Sequence, residues 1–227
     1  MRKLLPLLFL VLAACTRSPR QLVVVTTPDW DAVGGTLRLY EREGRAWNKV
    51  GSDVPVVVGR AGLAWGRGER AVSAAGPVKR EGDGKAPAGI FSLGTLFGFD
   101  PTSSAKMPYR QLLETTECVD DVASRSYNRI VERTAEADWK SSEKMRAIAQ
   151  YRWGMVVDHN AEGVPGAGSC IFLHIRGGPS KGTAGCTAMA EEDLVRLLGW
   201  LDHAAEPRLV QLPEAEYARL RAVWSLP

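Results

Sequence analysis

The sequence predicts a mainly β (α+β) domain, a sandwich or barrel-like sheet with peripheral helices. Three observations carry this. The opening of the body is a β-branched run, "QLVVVTT", ended by Pro28. Turn signals then recur at short spacing through "EREGRAW", "VGRAG" and "REGDGK". The amphipathic helical stripe, Leu194, Leu197, Leu198 and Leu201, comes late in the chain.

The chain has 227 residues and starts "MRKLLPLLFLVLAAC". Arg2 and Lys3 precede an apolar stretch, Leu4 to Ala14, too short to span a bilayer as a helix. The stretch ends at Cys15 in "LAAC", which resembles the bacterial lipobox, where cleavage falls before the cysteine and its thiol is lipidated. The expected organisation is therefore residues 1–14 as lipoprotein signal peptide, 15–20 as a linker after the lipidated cysteine, and 21–227 as the functional domain. The alternative is an ordinary signal peptide with a chance cysteine. By the same resemblance, Thr16 in place of an aspartate points to the periplasmic face of the outer membrane if the cell is Gram-negative. Without Arg2 and Lys3 the formal charge is about +1, which gives no reason to expect nucleic-acid binding. The expected membrane contact is through the N-terminal lipid alone.

The elements follow in order. "QLVVVTT" is a buried strand, and "TLRLYEREGRAWNKV" a hairpin turning at Glu43-Gly44. "VPVVVGRAG" is a further strand, and Gly89 to Leu93 another. From Phe97 to Arg125 loops with short pieces are expected. "YNRIV" reads as a strand, and "SEKMRAIAQ" as a short helix or approach loop. "WGMVV" and "SCIFLHI" are strands. Leu194, Leu197, Leu198 and Leu201 form the stripe of an amphipathic helix, with Glu191, Glu192 and Asp193 in its first turn. "RLVQLP" is a late strand and "EAEYARLRAVWSL" a closing helix.

Chemistry points to Cys186 and His174. A cysteine attacks a carbonyl as thiolate and needs a base, and imidazole is the usual one. His174 ends a strand, and Cys186 follows across "IRGGPSKGTAG", a loop long enough to fold back. The helix beyond Cys186 is expected to offer its N-terminus, lowering the thiol pKa. Export favours disulfides, and with Cys15 lipidated three cysteines remain, allowing three pairings. Cys118 with Cys170 is expected, since both lie at loop-to-strand junctions, leaving Cys186 free; an all-reduced chain is the alternative. His159, at a neighbouring strand end, is either a substrate contact or a structural histidine. His203 is expected to cap a helix C-terminus. There is no Cys-x-x-Cys and no helical His pair, so no metal and no cofactor are expected.

These residues resemble the YkuD-type L,D-transpeptidases of bacterial cell walls. That family's motif is a histidine, a glycine-containing loop, then Ser/Thr-His-Gly-Cys, a hydrophobic residue and Arg or Asn. Here it reads His174, then Thr183-Ala184-Gly185-Cys186-Thr187-Ala188. Upstream, "GDGKAPAGIFSL" (Gly82 to Leu93) is similar to the family's "GDGKTPEG" segment, in which Asp83 and Lys85 are expected to hold a turn. The resemblance runs from about Gly76 to Met189. It implies a peptidoglycan-modifying acyltransferase acting on stem peptides, with Cys186 as nucleophile and His174 as general base. Gly185 and Thr183 occupy motif positions, and the Cys186 N–H is an oxyanion donor. Ala184 and Ala188 depart from the motif, so the substrate carboxylate contact passes to Arg176 or Lys181. The alternatives are a hydrolase using the same site, either an L,D-carboxypeptidase or a crosslink- or amide-cleaving enzyme, and a non-catalytic wall-binding lipoprotein.

Overall fold

A computed structural model describes residues 18–70 and 75–227. The expected signal segment 1–14 and the expected lipidation site Cys15 lie outside the described residues.

Strand β1 (Gln21–Thr27) is buried along its whole length. It runs between β2 (Gly34–Glu43), antiparallel to it, and β13 (Arg208–Pro213), parallel to it. A strand covered on both faces carries a continuous apolar run rather than alternation, which accounts for "LVVV". β2 turns at Gly44-Arg45 into β3 (Ala46–Val57), with Gly44 at φ 59°. The two strands expected over residues 46–57 are one. The register slips between Leu37 and Leu39, where Gly51 (φ 66°) and its neighbours bulge, and that bulge breaks the periodicity.

The remaining strands are β4 (Leu63–Trp65), β5 (Ala86–Gly98), β6 (Tyr109–Gln111), β7 (Thr116–Val119), β8 (Ile130–Glu132), β9 (Ser142–Lys144), β10 (Trp153–Val157), β11 (Phe172–Ile175) and β12 (Thr187–Met189). The order β10-β11-β12-β3-β2-β1-β13-β5 closes on itself, because β5 also pairs β10. The result is a barrel of mixed pairing, parallel at β1–β13 and β11–β12. Closure removes the open edges that a flat sheet would expose. A separate small sheet, ordered β8-β7-β9, lies beside it.

Helix α1 (Glu191–Trp200) packs on β10 and β11 and buries Leu194, Leu197 and Leu198, with Leu201 buried just past its end. Helix α2 (Glu214–Leu220) is shorter than the sequence pattern implies. His203 does not cap α1: it opens a separate 3₁₀ turn. "SEKMRAIAQ" divides into β9 and two 3₁₀ turns, because Ile148 is extended and interrupts any helix.

Two apolar clusters result. The large one fills the barrel and runs under α1 and α2. The smaller one holds Phe97, Cys118, Met145, Tyr151, Cys170, Phe172 and Cys186, in the seam between the barrel wall and the small sheet.

Candidate active site

Alternation along β11 sends Ile171 and Leu173 into the barrel and Phe172 into the seam. His174 is two residues beyond Phe172, so it shares the seam face. In the parallel pairing of β11 with β12, His174 lies across from Ala188. Cys186 precedes Ala188 by two and faces the same way, while Met189 joins the barrel core. Strand rise and spacing put the Cα atoms of His174 and Cys186 about 8 Å apart on one face. Tyr151 spans them: its ring stands edge-on to His174 at 5.3 Å and to Phe172 at 5.4 Å, and its hydroxyl lies beside the Cys186 sulfur.

The Cys186 thiol is buried and doubly engaged. It accepts from the Phe172 N–H at 3.3 Å and donates to the Cys170 carbonyl at 3.4 Å. Burial pushes its pKa far above the usual thiol range, and the nearby Glu143 carboxyl adds to the effect. This corrects the expectation of a thiol acidified by a helix N-terminus. Residues 187–189 are a strand held between β11 and β3, and α1 begins only at Glu191, so no helix end points at the sulfur.

His174 is buried too, and desolvation lowers its pKa, so the ring is neutral near pH 7. Its Nδ1 lies 2.8 Å from the Ile175 carbonyl. A carbonyl only accepts, so Nδ1 carries the hydrogen and Nε2 keeps a lone pair, the form that a base needs.

The turn before Cys186 is organised by Thr183. Its N–H donates to the Val58 carbonyl at 2.9 Å, and its own carbonyl accepts from the Arg60 N–H at 2.8 Å. Its hydroxyl donates to the Cys186 carbonyl at 2.6 Å and accepts from the Gly185 N–H at 3.1 Å. The Gly185 N–H is thereby committed within the turn. A Cβ on Gly185 would sit 3.2 Å from the Lys85 carbonyl oxygen and 3.3 Å from Ile171, tighter than the packing readily accepts. The "GDGK" segment thus lies directly under the cysteine turn. Asp83 holds that segment, accepting from the Arg80 N–H, the Lys85 N–H and the Lys79 ammonium at 2.6 to 2.9 Å.

Cys118 and Cys170 form a disulfide, and Cys186 is the free cysteine among the described residues. The bond ties β7 to the residue whose carbonyl receives the Cys186 thiol. Cys170 itself is at φ 55° and donates its N–H to Asn128 Oδ1 at 2.9 Å.

His159 is not available to a substrate. It is 1% exposed, and both ring nitrogens are used: Nδ1 accepts from the Arg67 N–H at 3.2 Å, and Nε2 donates to the Ala167 carbonyl at 2.9 Å. It pins loops together. Arg176 is half-buried and Lys181 exposed, both on the loop joining β11 to the cysteine turn.

Sequence reasoning missed three residues of this region. Tyr151 and Glu143 meet the thiol only through tertiary packing, and no spacing in the sequence signals it. Lys79 is a buried lysine whose positive charge favours the thiolate. Its place just ahead of the "GDGK" segment was the available hint. Among the described residues no group of His, Cys, Asp or Glu has the arrangement of a metal site. No described helix is long and apolar enough to cross a membrane.

A closed β barrel flanked by a seam that carries one free cysteine and a neutral histidine defines the class of domain. Residues 30–210 match the YkuD family, the L,D-transpeptidase catalytic domain. The chain therefore belongs to that family. Among solved structures, Bd1075 of Bdellovibrio bacteriovorus is similar at 13% identity and a TM-score of 0.44, over 91% of this chain and 55% of that one. The chain thus spans about half the length of that protein. No curated protein matches the chain.

Proposed function

We propose that the protein is a peptidoglycan-modifying cysteine acyltransferase. Cys186 attacks the carbonyl between the L-centre of the third stem residue and the D-residue that follows. His174 Nε2 takes the thiol proton and returns it to the departing amine, so that D-alanine leaves and an acyl-enzyme remains. An amine acceptor then completes an L,D-crosslink. The Cys186 N–H serves as oxyanion donor. Arg176 and Lys181 are the candidate contacts for the substrate carboxylate. Cys15 carries the lipid that tethers the domain to the envelope.

The observation that carries this reading is the shared seam face of β11 and β12. It offers a free thiol and a neutral imidazole with Nε2 unprotonated. The test is incubation of purified muropeptides with the wild type and with Cys186→Ala. New crosslinks or exchanged terminal D-amino acids in the wild type alone support transfer. Shortened stems alone identify the hydrolase. Products unchanged by Cys186→Ala remove the enzymatic reading.

A further inference from the structure

Glu143 lies on β9, in register with Cys118 of β7 across the small sheet, and so stands on the far wall of the seam from Cys186. Its carboxylate accepts from the Tyr151 hydroxyl at 2.6 Å. That hydroxyl lies beside the sulfur. Tyr151 is buried, and its ring is fixed by Phe97, Phe172 and His174 at centroid distances of 5.7, 5.4 and 5.3 Å. The ring cannot swing away, so the only freedom at this point is the direction of one O–H.

We propose that Glu143, acting through the Tyr151 hydroxyl, governs how readily Cys186 gives up its proton. A tyrosine has one hydrogen to donate. While Glu143 is charged, it holds that hydrogen, and the sulfur faces an oxygen lone pair and a nearby negative charge. Both favour the neutral thiol. When Glu143 takes up a proton the repulsion vanishes, and the hydroxyl hydrogen is released to stabilise a thiolate. The proton leaving sulfur goes to His174 Nε2, and the proton on Glu143 stays there. Glu143 and Tyr151 are thus positioning residues, and the inference rests on Cys186 being the attacking group.

The other charged groups in the surroundings are accounted for. Asp120, just after β7, and Glu81 face Glu143 and raise its pKa further, while burial is the main cause of its rise to about 7. Glu81 is itself bound by the Tyr127 hydroxyl at 2.5 Å and the Ser169 hydroxyl at 2.6 Å. Lys79 acts on the sulfur in the opposite sense, with its ammonium neutralised by Asp83 at 2.6 Å.

The test is the rate of Cys186 alkylation by iodoacetamide from pH 5 to 9, read by mass spectrometry on the Cys186 peptide, so that Cys15 does not contribute. Below the thiol pKa this rate tracks the thiolate fraction. Glu143→Gln removes the charge and keeps the shape. Its rate should match wild type below pH 6, where Glu143 is protonated, and exceed it about tenfold above pH 8. In a Tyr151→Phe background the enhancement should fall to about twofold, since the hydroxyl that couples the two groups is gone. Should Glu143→Gln fail to fold, Glu143→Asp withdraws the carboxylate from the hydroxyl and should show a smaller enhancement of the same pH dependence. Rates equal across pH, including a sulfur equally unreactive in every variant, overturn the proposal. Muropeptide turnover is a separate readout: its absence would sink the enzymatic reading and leave the alkylation ratio standing.

Discussion

Removing the Cys118–Cys170 bond is expected to cost the protein a large share of its stability and to loosen the seam first. The bond spans 52 residues of chain. In the chain-entropy account, closing a loop of that length restricts the unfolded ensemble by about 4 kcal/mol at 25 °C. For a domain of this size, roughly 2–4 °C accompanies each kcal/mol, so the Cys118→Ala/Cys170→Ala variant should melt about 8–16 °C lower. The loss is not spread evenly. β7, β8 and β9 form a sheet of short strands with no hydrogen-bonded partner in the barrel. It is held by the small apolar cluster, by Glu117 with its bonds to Arg133, Trp139 and Ser142 at 2.6 Å each, and by the disulfide. Without the covalent tie, the small sheet should open before the barrel. Thermal unfolding by circular dichroism gives the first quantity. Amide exchange at β7, β9 and Phe172, compared with β1, gives the second. A melting temperature within about 2 °C of wild type would refute the argument. So would uniform exchange across barrel and small sheet, since the bond would then not be what holds the seam shut.

His174→Gln keeps a ring-sized polar group but removes the base, and should slow muropeptide turnover about 10²- to 10⁴-fold with little change in melting temperature; near-wild-type turnover would remove His174 from the chemistry. His159 is buried and neutral, with its pKa lowered to about 4 by desolvation. Its contribution is therefore fully present above the unfolded value near 6.5 and is lost as pH falls toward 4, amounting to about 3 kcal/mol. Denaturant unfolding at pH 7.5 and 4.5 should show that slope in wild type and a shallower one in His159→Gln; identical slopes would count against it. Arg176→Ala should raise KM for a stem peptide roughly tenfold and leave kcat nearly unchanged if the guanidinium holds the substrate carboxylate. An unchanged KM assigns that contact to Lys181 or elsewhere.

Much of the barrel was legible because its strands obey local rules. β1 is a β-branched run, the β2–β3 hairpin has a glycine at its turn, and α1 repeats leucine at helical spacing. The errors fall where a local rule was overridden. β3 reads as two strands because the bulge around Gly51 interrupts its pairing with β2. The polar stretch ahead of β10 reads as a short helix or an approach loop because its composition permits either, and the helix is excluded because Ser142 to Lys144 pair with β7 and Ile148 is extended. At the site, Cys186 and His174 stood out by chemistry and order. Their electrostatics did not. The helix expected to acidify the thiol is displaced by a three-residue strand that exists only because β11 and β3 are there to pair with it. Nor does any pattern reveal that both nitrogens of His159 are spent on backbone groups distant in sequence.

One cause underlies the two pKa shifts at the seam. Burial raises the Cys186 thiol and lowers the His174 imidazole, and each shift disfavours the charged form. A thiolate–imidazolium pair at rest would need both groups to ionise in an environment that penalises each. The resting pair is therefore neutral, and in the proposed reaction proton transfer belongs to the step in which sulfur attacks, when negative charge moves on to a substrate oxygen. The side chains placed to tip that balance are those that share the seam: Lys79 toward the thiolate, and Glu143 against it for as long as it is charged. The barrel sets where sulfur and ring stand. The small sheet, carrying Glu143 and half of the disulfide, sets how costly it is for the sulfur to become charged.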